Sequence, residues 1–243
     1  MFRKIKIATK LLKWRNLDFK SGYCPLCGPT FFVKLDNYEM AIRCLRCRSS
    51  AATMSFVSVV NRLIPDLSEK HVYELSAQGP LVKFLLRRAG KVTLSEYFDD
   101  VPLGKYKGKI QCQDVERLTY DKESFDICTS TEVFEHVPHD LEGFKELYRI
   151  LKRGGVLMLT VPLSPVSKTV ERAKIIDGEI QYLLPPEYHG DRIRGFNSVL
   201  CFRNYGQDIV DRLDFVGFHH PRIVQGDDPT GWGFSRGVVV ASK

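Results

Sequence analysis

The chain predicts an α/β fold: a doubly wound, mostly parallel sheet of seven strands ending in an antiparallel hairpin, with a small cysteine-rich ribbon ahead of it. Three observations carry that expectation. From His71 onward, short apolar runs alternate with amphipathic helical stretches, the order that builds a parallel sheet covered on both faces. Four of the seven cysteines crowd into residues 24–47, whereas Cys112, Cys128 and Cys201 stand apart in apolar surroundings and read as small core residues without chemistry. The 243 residues are 44% hydrophobic and 27% charged, which suits one full-sized domain plus a small module and excludes a disordered, collagen-like or disulfide-scaffold chain. No apolar run approaches the roughly 20 residues of a membrane-spanning helix, so a transmembrane enzyme is excluded. The first twenty residues lack a signal-peptide pattern, and the expected compartment is the cytoplasm.

Residues 1–22 read as a basic amphipathic arm. Arg3, Lys4, Lys6, Lys10, Lys13, Arg15 and Lys20 stand against Asp18 alone, so the arm carries +6 of the net charge of +7. Such an arm suits peripheral contact with an anionic surface, nucleic acid or lipid headgroups. Its apolar residues (Ile5, Ile7, Leu11, Leu12, Trp14, Leu17) equally suit a helix packed on the body with its lysines merely solvated.

Residues 23–50 hold Cys24, Cys27, Cys44 and Cys47 in C-x2-C-x16-C-x2-C spacing, which presents four thiolates to one tetrahedral Zn²⁺. Pro25 and Gly28 supply turn residues to the first knuckle, and 31–33 and 40–42 read as short strands around Asp36-Asn37. With every position taken by sulfur, the zinc would be structural, supplying stability that a segment of about 25 residues cannot find in apolar burial. Reduced buried cysteines, or two disulfides, are the alternative.

Residues 51–68 read as a linking helix ending near Pro65, and residues 69–243 as the main domain. Strands are expected at 71–75, 92–95, 109–112, 125–129 and 156–161, and the closing pair near 218–225 and 236–242. A helix over 80–89 has proline in its first turn and Gly90 just past its end. The helix over 140–152 places Leu141, Phe144, Leu147, Tyr148 and Leu151 on one face, with Lys152 and Arg153 at its negative end before Gly154-Gly155. A further helix is expected over 206–216, and 163–205 forms an insert.

Acidic residues recur where the strands end: Glu74, Glu96 and Asp114, then Glu132 after Ser130 and Thr131. Ligands of open parallel sheets lie beyond those ends. On these residues, and above all on Phe125-Asp-Ile-Cys-Thr-Ser-Thr-Glu-Val-Phe-Glu-His-Val137 followed by Leu151-Lys-Arg-Gly-Gly-Val-Leu157, the chain resembles the class I S-adenosylmethionine-dependent methyltransferases over about residues 69–243. The resemblance implies a Rossmann-like fold binding S-adenosyl-L-methionine through Glu74, Ser76, Gly79, Glu96, Tyr97, Asp114, Val115 and Thr131. Glu96 matches the acid that holds the ribose hydroxyls, and Asp114 the one near the adenine amino group; carboxylates accept well from such donors. Glu74, Glu96 and Asp114 are expected to converge on the nucleoside. One departure stands out: the glycine-rich first loop is here Glu74-Leu-Ser-Ala-Gln-Gly-Pro80, which keeps only Gly79, out of phase.

Transfer from a sulfonium needs the acceptor held in line, and a hydroxyl acceptor must also lose its proton to a base or a metal. Glu132-x-x-Glu135-His136 places three ligand-type residues on one face if a helical turn forms. Pro186-Glu-Tyr-His-Gly-Asp191 adds His189 and Asp191 in the insert. The first run is similar to the divalent-metal site of ubiquinone-biosynthesis O-methyltransferases and of small-RNA 2′-O-methyltransferases, whose downstream histidine His189 matches. The resemblance thus implies a second divalent metal on Glu132, Glu135, His136 and His189, or metal-free use of the same residues. Either way His189, with His136 and Glu135, is the catalytic expectation.

A ribbon joined to this domain resembles both rRNA methyltransferases with an N-terminal zinc finger and a bacterial group associated with surface-glycan synthesis. Ser95-Glu-Tyr-Phe98, Glu187-Tyr-His-Gly-Asp191 and Phe202-Arg-Asn-Tyr-Gly206 are closer to the second. The expected reaction is O-methylation of a small molecule or sugar. An RNA methyltransferase using ribbon and arm, or a non-catalytic binding module of the same fold, is the alternative.

Overall fold

The structure, a computed structural model, describes residues 16–191 and 195–243. Residues 1–15, most of the expected basic arm, lie outside the described residues. The chain forms two compact units: residues through Pro65 with 78–87 and 224–238, and residues 66–77, 88–223 and 239–243. This division differs from the linear succession expected, in which everything after residue 69 forms one domain.

In the first unit, β1 (Asp18–Cys24), β2 (Gly28–Lys34) and β3 (Ile42–Cys44) make an antiparallel sheet in that order. The ribbon therefore takes in residues 18–22, which the sequence assigned to the arm: Asp18 pairs with Lys34 and Lys20 with Phe32. Residues 39–41 form a short 3-10 turn, and the last strand starts at Ile42 rather than at residue 40. The expected linker is helix α1 (Ala51–Leu63), a core element with nine buried residues, capped by Ser50 Oγ accepting from Thr53 N at 3.2 Å. Segment 224–238 joins this unit through α1. Ser55 Oγ donates to Asp227 O and accepts from Arg236 N, both at 3.1 Å, and Ser58 Oγ accepts from Asp227 N at 2.9 Å. Gly226 is required there, since a Cβ would stand 2.5 Å from that of Ser55. Helix α2 (Pro80–Arg88) buries Leu81, Val82, Phe84 and Leu85.

The large sheet runs β16-β17-β9-β8-β4-β5-β7-β6. Its strands are β4 (His71–Glu74), β5 (Lys91–Glu96), β6 (Tyr106–Lys107), β7 (Ile110–Cys112), β8 (Phe125–Thr131), β9 (Leu151–Thr160), β16 (His219–Gln225) and β17 (Gly237–Ser242). Pairs β4/β5, β4/β8, β5/β7 and β8/β9 are parallel; β17 runs antiparallel to β9, and β16 is its neighbour on the other side. There are eight strands rather than seven, because β6 adds a two-residue antiparallel edge to β7.

Helix α3 (Asp140–Ile150) ends two residues before its expected limit, and β9 begins at Leu151, five residues early. Leu151 pairs with Phe125, and an irregularity between Phe125 and Ile127 absorbs Gly154-Gly155. Helix α4 (Ile209–Val216) starts three residues late. The core of this unit joins β4, β8, β9 and β17 to α3 and α4, with Phe134 and Phe144 stacked at 4.3 Å. Between β9 and α4, the insert forms three two-stranded pairs. These are β10 (Val170–Glu171) with β15 (Arg203–Asn204), β11 (Ala173–Ile176) with β12 (Glu179–Tyr182), and β13 (Tyr188–Asp191) with β14 (Gly195–Leu200). No helix among the described residues is long and apolar enough to cross a membrane.

Candidate active site and cysteine cluster

Because β4, β5, β7, β8 and β9 are parallel, their carboxyl ends share one edge, and the chain reverses direction of build-out between β4 and β8. That crevice is where such sheets bind ligands. Glu74, at the end of β4, is 1% exposed; its carboxylate accepts from Ser76 Oγ at 3.0 Å and from Thr129 Oγ1 at 2.5 Å. Burial pushes its pKa up to about 7, opposed by those hydrogen bonds. The carboxylate is thus turned into the protein, a correction to the expectation that it converge with Glu96 and Asp114 on a ligand. Glu96, half-buried at the end of β5, accepts from Ala77 N at 2.9 Å and so ties down the loop after β4.

Asp114 accepts from Glu116 N at 3.0 Å and pairs with Arg117 at 3.6 Å. Tyr97 is exposed, Val115 packs on the core from its edge, and Thr131 ends β8 half-buried. Gly79 belongs to the first unit and has φ +112, a conformation only glycine adopts freely.

On the same edge, past β8, the Glu132–His136 run does not form one helical turn. Glu132 sits at φ 55, ahead of the 3-10 turn Phe134–His136. Its side chain bonds Thr160, and burial pushes its pKa up to about 7. Glu135 and His136 instead face the insert. His136 Nδ1 lies 2.9 Å from Leu200 O, and Phe202 N donates to Glu135 O at 2.8 Å. Cys201 N donates to Glu187 O at 2.8 Å. The guanidinium of buried Arg203 donates to the carbonyls of Phe134, Val137 and Pro138. Residues 200–203 therefore strap the turn in place.

The strap brings His136, His189 and Cys201 together, one ligand atom of each lying within 4.8 Å of the others. Cys201 Sγ is 3.2 Å from His189 Nε2 and 3.9 Å from His136 Nδ1. His189 Nε2 is also 3.2 Å from Glu187 Oε1. Glu135, 2% exposed, has one carboxylate oxygen 3.8 Å from His136 Nε2 and 4.0 Å from His189 Nδ1. Burial, and then repulsion by Glu132, drives its pKa well above the carboxylate range. A cavity of about 210 Å³ opens here, lined by Glu135, Pro162, Leu163, Ser164, Glu187, His189, Cys201, Arg203 and Asn204. Sequence reasoning missed Cys201, dismissed as a core residue, and Arg203. The signal for them was the Phe202–Gly206 run, which contains Arg203 and directly follows Cys201.

In the ribbon, Cys24, Cys27, Cys44 and Cys47 also lie within 4.8 Å of one another, unbridged by disulfides. Sγ–Sγ distances are 3.7 Å for Cys24–Cys47 and 3.6 Å for Cys27–Cys44. Four sulfurs about 2.3 Å from one zinc stand about 3.8 Å apart, so the donor set fits the metal. Both knuckles close alike: Gly28 and Arg48, each following the second cysteine of its pair, have φ 84 and 65.

The fold is that of the class I S-adenosylmethionine-dependent methyltransferases. The chain is similar to an S-adenosylmethionine-dependent methyltransferase from Mesorhizobium loti, with TM-score 0.53 and 14% identity over 78% of this chain and 98% of that one. Residues 70–159 match the family model of a methyltransferase domain. It is also 33% identical over 103 residues to the ubiquinone biosynthesis O-methyltransferase of Coxiella burnetii, covering 39% of this chain and 44% of that protein. The chain thus spans less than half the length of that curated relative.

Proposed function

We propose that the chain is an S-adenosylmethionine-dependent methyltransferase acting on a hydroxyl of a small molecule or sugar. The observation that carries this reading is the cavity beside the carboxyl ends of β8 and β9, with His189, Glu135 and Glu187 on its wall. The methyltransferase domain and the relative named for O-methylation support it. The bound cosubstrate would supply an activated methyl group. Glu96 would accept from its ribose hydroxyls and Asp114 from its adenine amino group, beside Tyr97, Val115 and Thr131. Glu74 and Ser76 would shape the loop below it, and Gly79 its exit into α2. The acceptor's O–H proton would pass to the polar group of His189, Glu135 and Glu187 on the cavity wall, leaving an oxygen nucleophile for the methyl group that the cosubstrate would supply. The ribbon would hold a structural Zn²⁺ on Cys24, Cys27, Cys44 and Cys47.

Titration calorimetry with S-adenosylhomocysteine tests the reading. One molecule should bind per chain, and Glu96→Gln should weaken it by about 10- to 100-fold, the loss of a charge-assisted hydrogen bond. No binding by the wild type overturns it. An RNA acceptor is a second reading, favoured by Phe19, Tyr23 and Phe31, which are exposed on one face of the β1/β2 pair as a stacking platform would be. A salt-dependent gel shift, lost on replacing these rings by alanine, would support it.

A further inference from the structure

The four residues that the resemblance implies for a second metal are not the four the fold assembles. Glu132 bonds Thr160 from a left-handed backbone position ahead of the turn, and the ligand atoms that lie within 4.8 Å of one another are those of His136, His189 and Cys201. A cysteine takes its place. We propose that His136, His189 and Cys201, flanked by Glu135, hold a thiophilic divalent cation of the zinc class, which Mg²⁺ does not replace.

Several observations point the same way. The three side chains offer two imidazole nitrogens and one sulfur within 4.8 Å, the size of a first coordination sphere. Three protein ligands of this type, facing a cavity, leave the fourth position open, the pattern of zinc sites that meet a substrate. The Nδ1 of His136 is held by the Leu200 carbonyl at 2.9 Å, the outer-shell contact that fixes the tautomer of a ligating histidine. Glu135 supplies the independent sign of a missing cation. It is 2% exposed, and neither carboxylate oxygen has a hydrogen-bond partner. A buried carboxylate without donors is costly, and a cation among the neighbouring rings relieves it. Sulfur decides which cation: thiolate favours zinc, whereas Mg²⁺ prefers oxygen donors and keeps its waters.

The inference deepens the proposed reading, because the ion would sit where the acceptor hydroxyl is expected; His189 is then a ligand rather than a free base. Its test counts metal, not turnover. Wild-type protein is dialysed against Zn²⁺ with excess Mg²⁺, and bound zinc per chain is measured by mass spectrometry. Cys201→Ser should hold one equivalent less than wild type, and His189→Ala, altering a partly exposed hairpin residue, should lose the same equivalent. Circular dichroism and binding of S-adenosylhomocysteine should be unchanged in both. Zinc content equal to wild type in the folded variants overturns the site. Failure of the nucleoside to bind wild-type protein strikes the methyltransferase reading and leaves the zinc count standing. Because the readout is a difference, the ribbon's own zinc does not enter it.

Discussion

The two clusters of ligand-type side chains differ in how they are built. In the ribbon, four sulfurs come from 24 consecutive residues, on two matching knuckles, and close on one another. In the larger unit, two imidazoles and a thiol come from residues 136, 189 and 201, are held by a strap of backbone hydrogen bonds, and open on a cavity. A closed set serves folding. An open set supported by the surrounding core leaves room for a reactant. The comparison teaches that ligand type alone does not separate structural from reactive sites; what supports the ligands does.

The sharpest way to break the comparison is to strip the zinc proposed for the ribbon. Strong chelation, or Cys44→Ser, should unfold β1–β3, since structural zinc contributes on the order of 10 kcal/mol. Limited proteolysis should cut between residues 18 and 50 and spare the large sheet. Equal protection of the ribbon with and without metal would refute its dependence.

The second cluster should depend instead on its strap. Arg203, 4% exposed, also pairs with Asp140 and Glu171. Arg203→Met leaves Asp140 and three carbonyls short of a donor and should cost about 3–5 kcal/mol in urea unfolding, the range for breaking a buried pair.

Glu74 offers a third contrast, a buried carboxylate that the protein does satisfy. Its pKa rises from 4.5 to about 7 in the fold, so the native state holds its proton more tightly than the unfolded chain. Its contribution to stability is full below about pH 4.5 and is lost as pH climbs through about 7, by about 3 kcal/mol. Glu74→Gln should flatten that part of the stability–pH curve; an unchanged slope would show that the fold does not raise the pKa of Glu74. The smallest effect is expected at Ser50, the cap of α1: Ser50→Ala should cost about 1 kcal/mol by thermal unfolding, whatever metal is bound.

Legibility followed distance along the chain. The C-x2-C pairs announce their geometry because a two-residue spacer fixes each knuckle. The strands β4, β5, β7, β8 and β9 were visible because apolar runs of that length alternate with helical periodicity, whereas the two-residue edge β6 is too short to show. The start of β9 was not. Lys152-Arg153-Gly154-Gly155 reads as the basic end and glycine stop of a helix, and the same residues serve an irregular parallel pairing with Phe125. Glu74 was recognised as an acid at a strand end, but its burial depends on Thr129, 55 residues away. Cys201 looked like other small core residues until the insert folded back on the turn after β8.

The sequence by itself determined the class of fold, the four-sulfur set of the ribbon and the edge of the sheet on which chemistry is expected, because these rest on local spacing and on strand direction. Only the tertiary structure decided that α1 and segment 224–238 join the ribbon's unit, that Glu74 turns inward, and that Cys201 stands beside His136 and His189. Those outcomes depend on contacts between residues far apart in the chain, where packing and hydrogen-bond satisfaction, rather than periodicity, select among side chains of similar type.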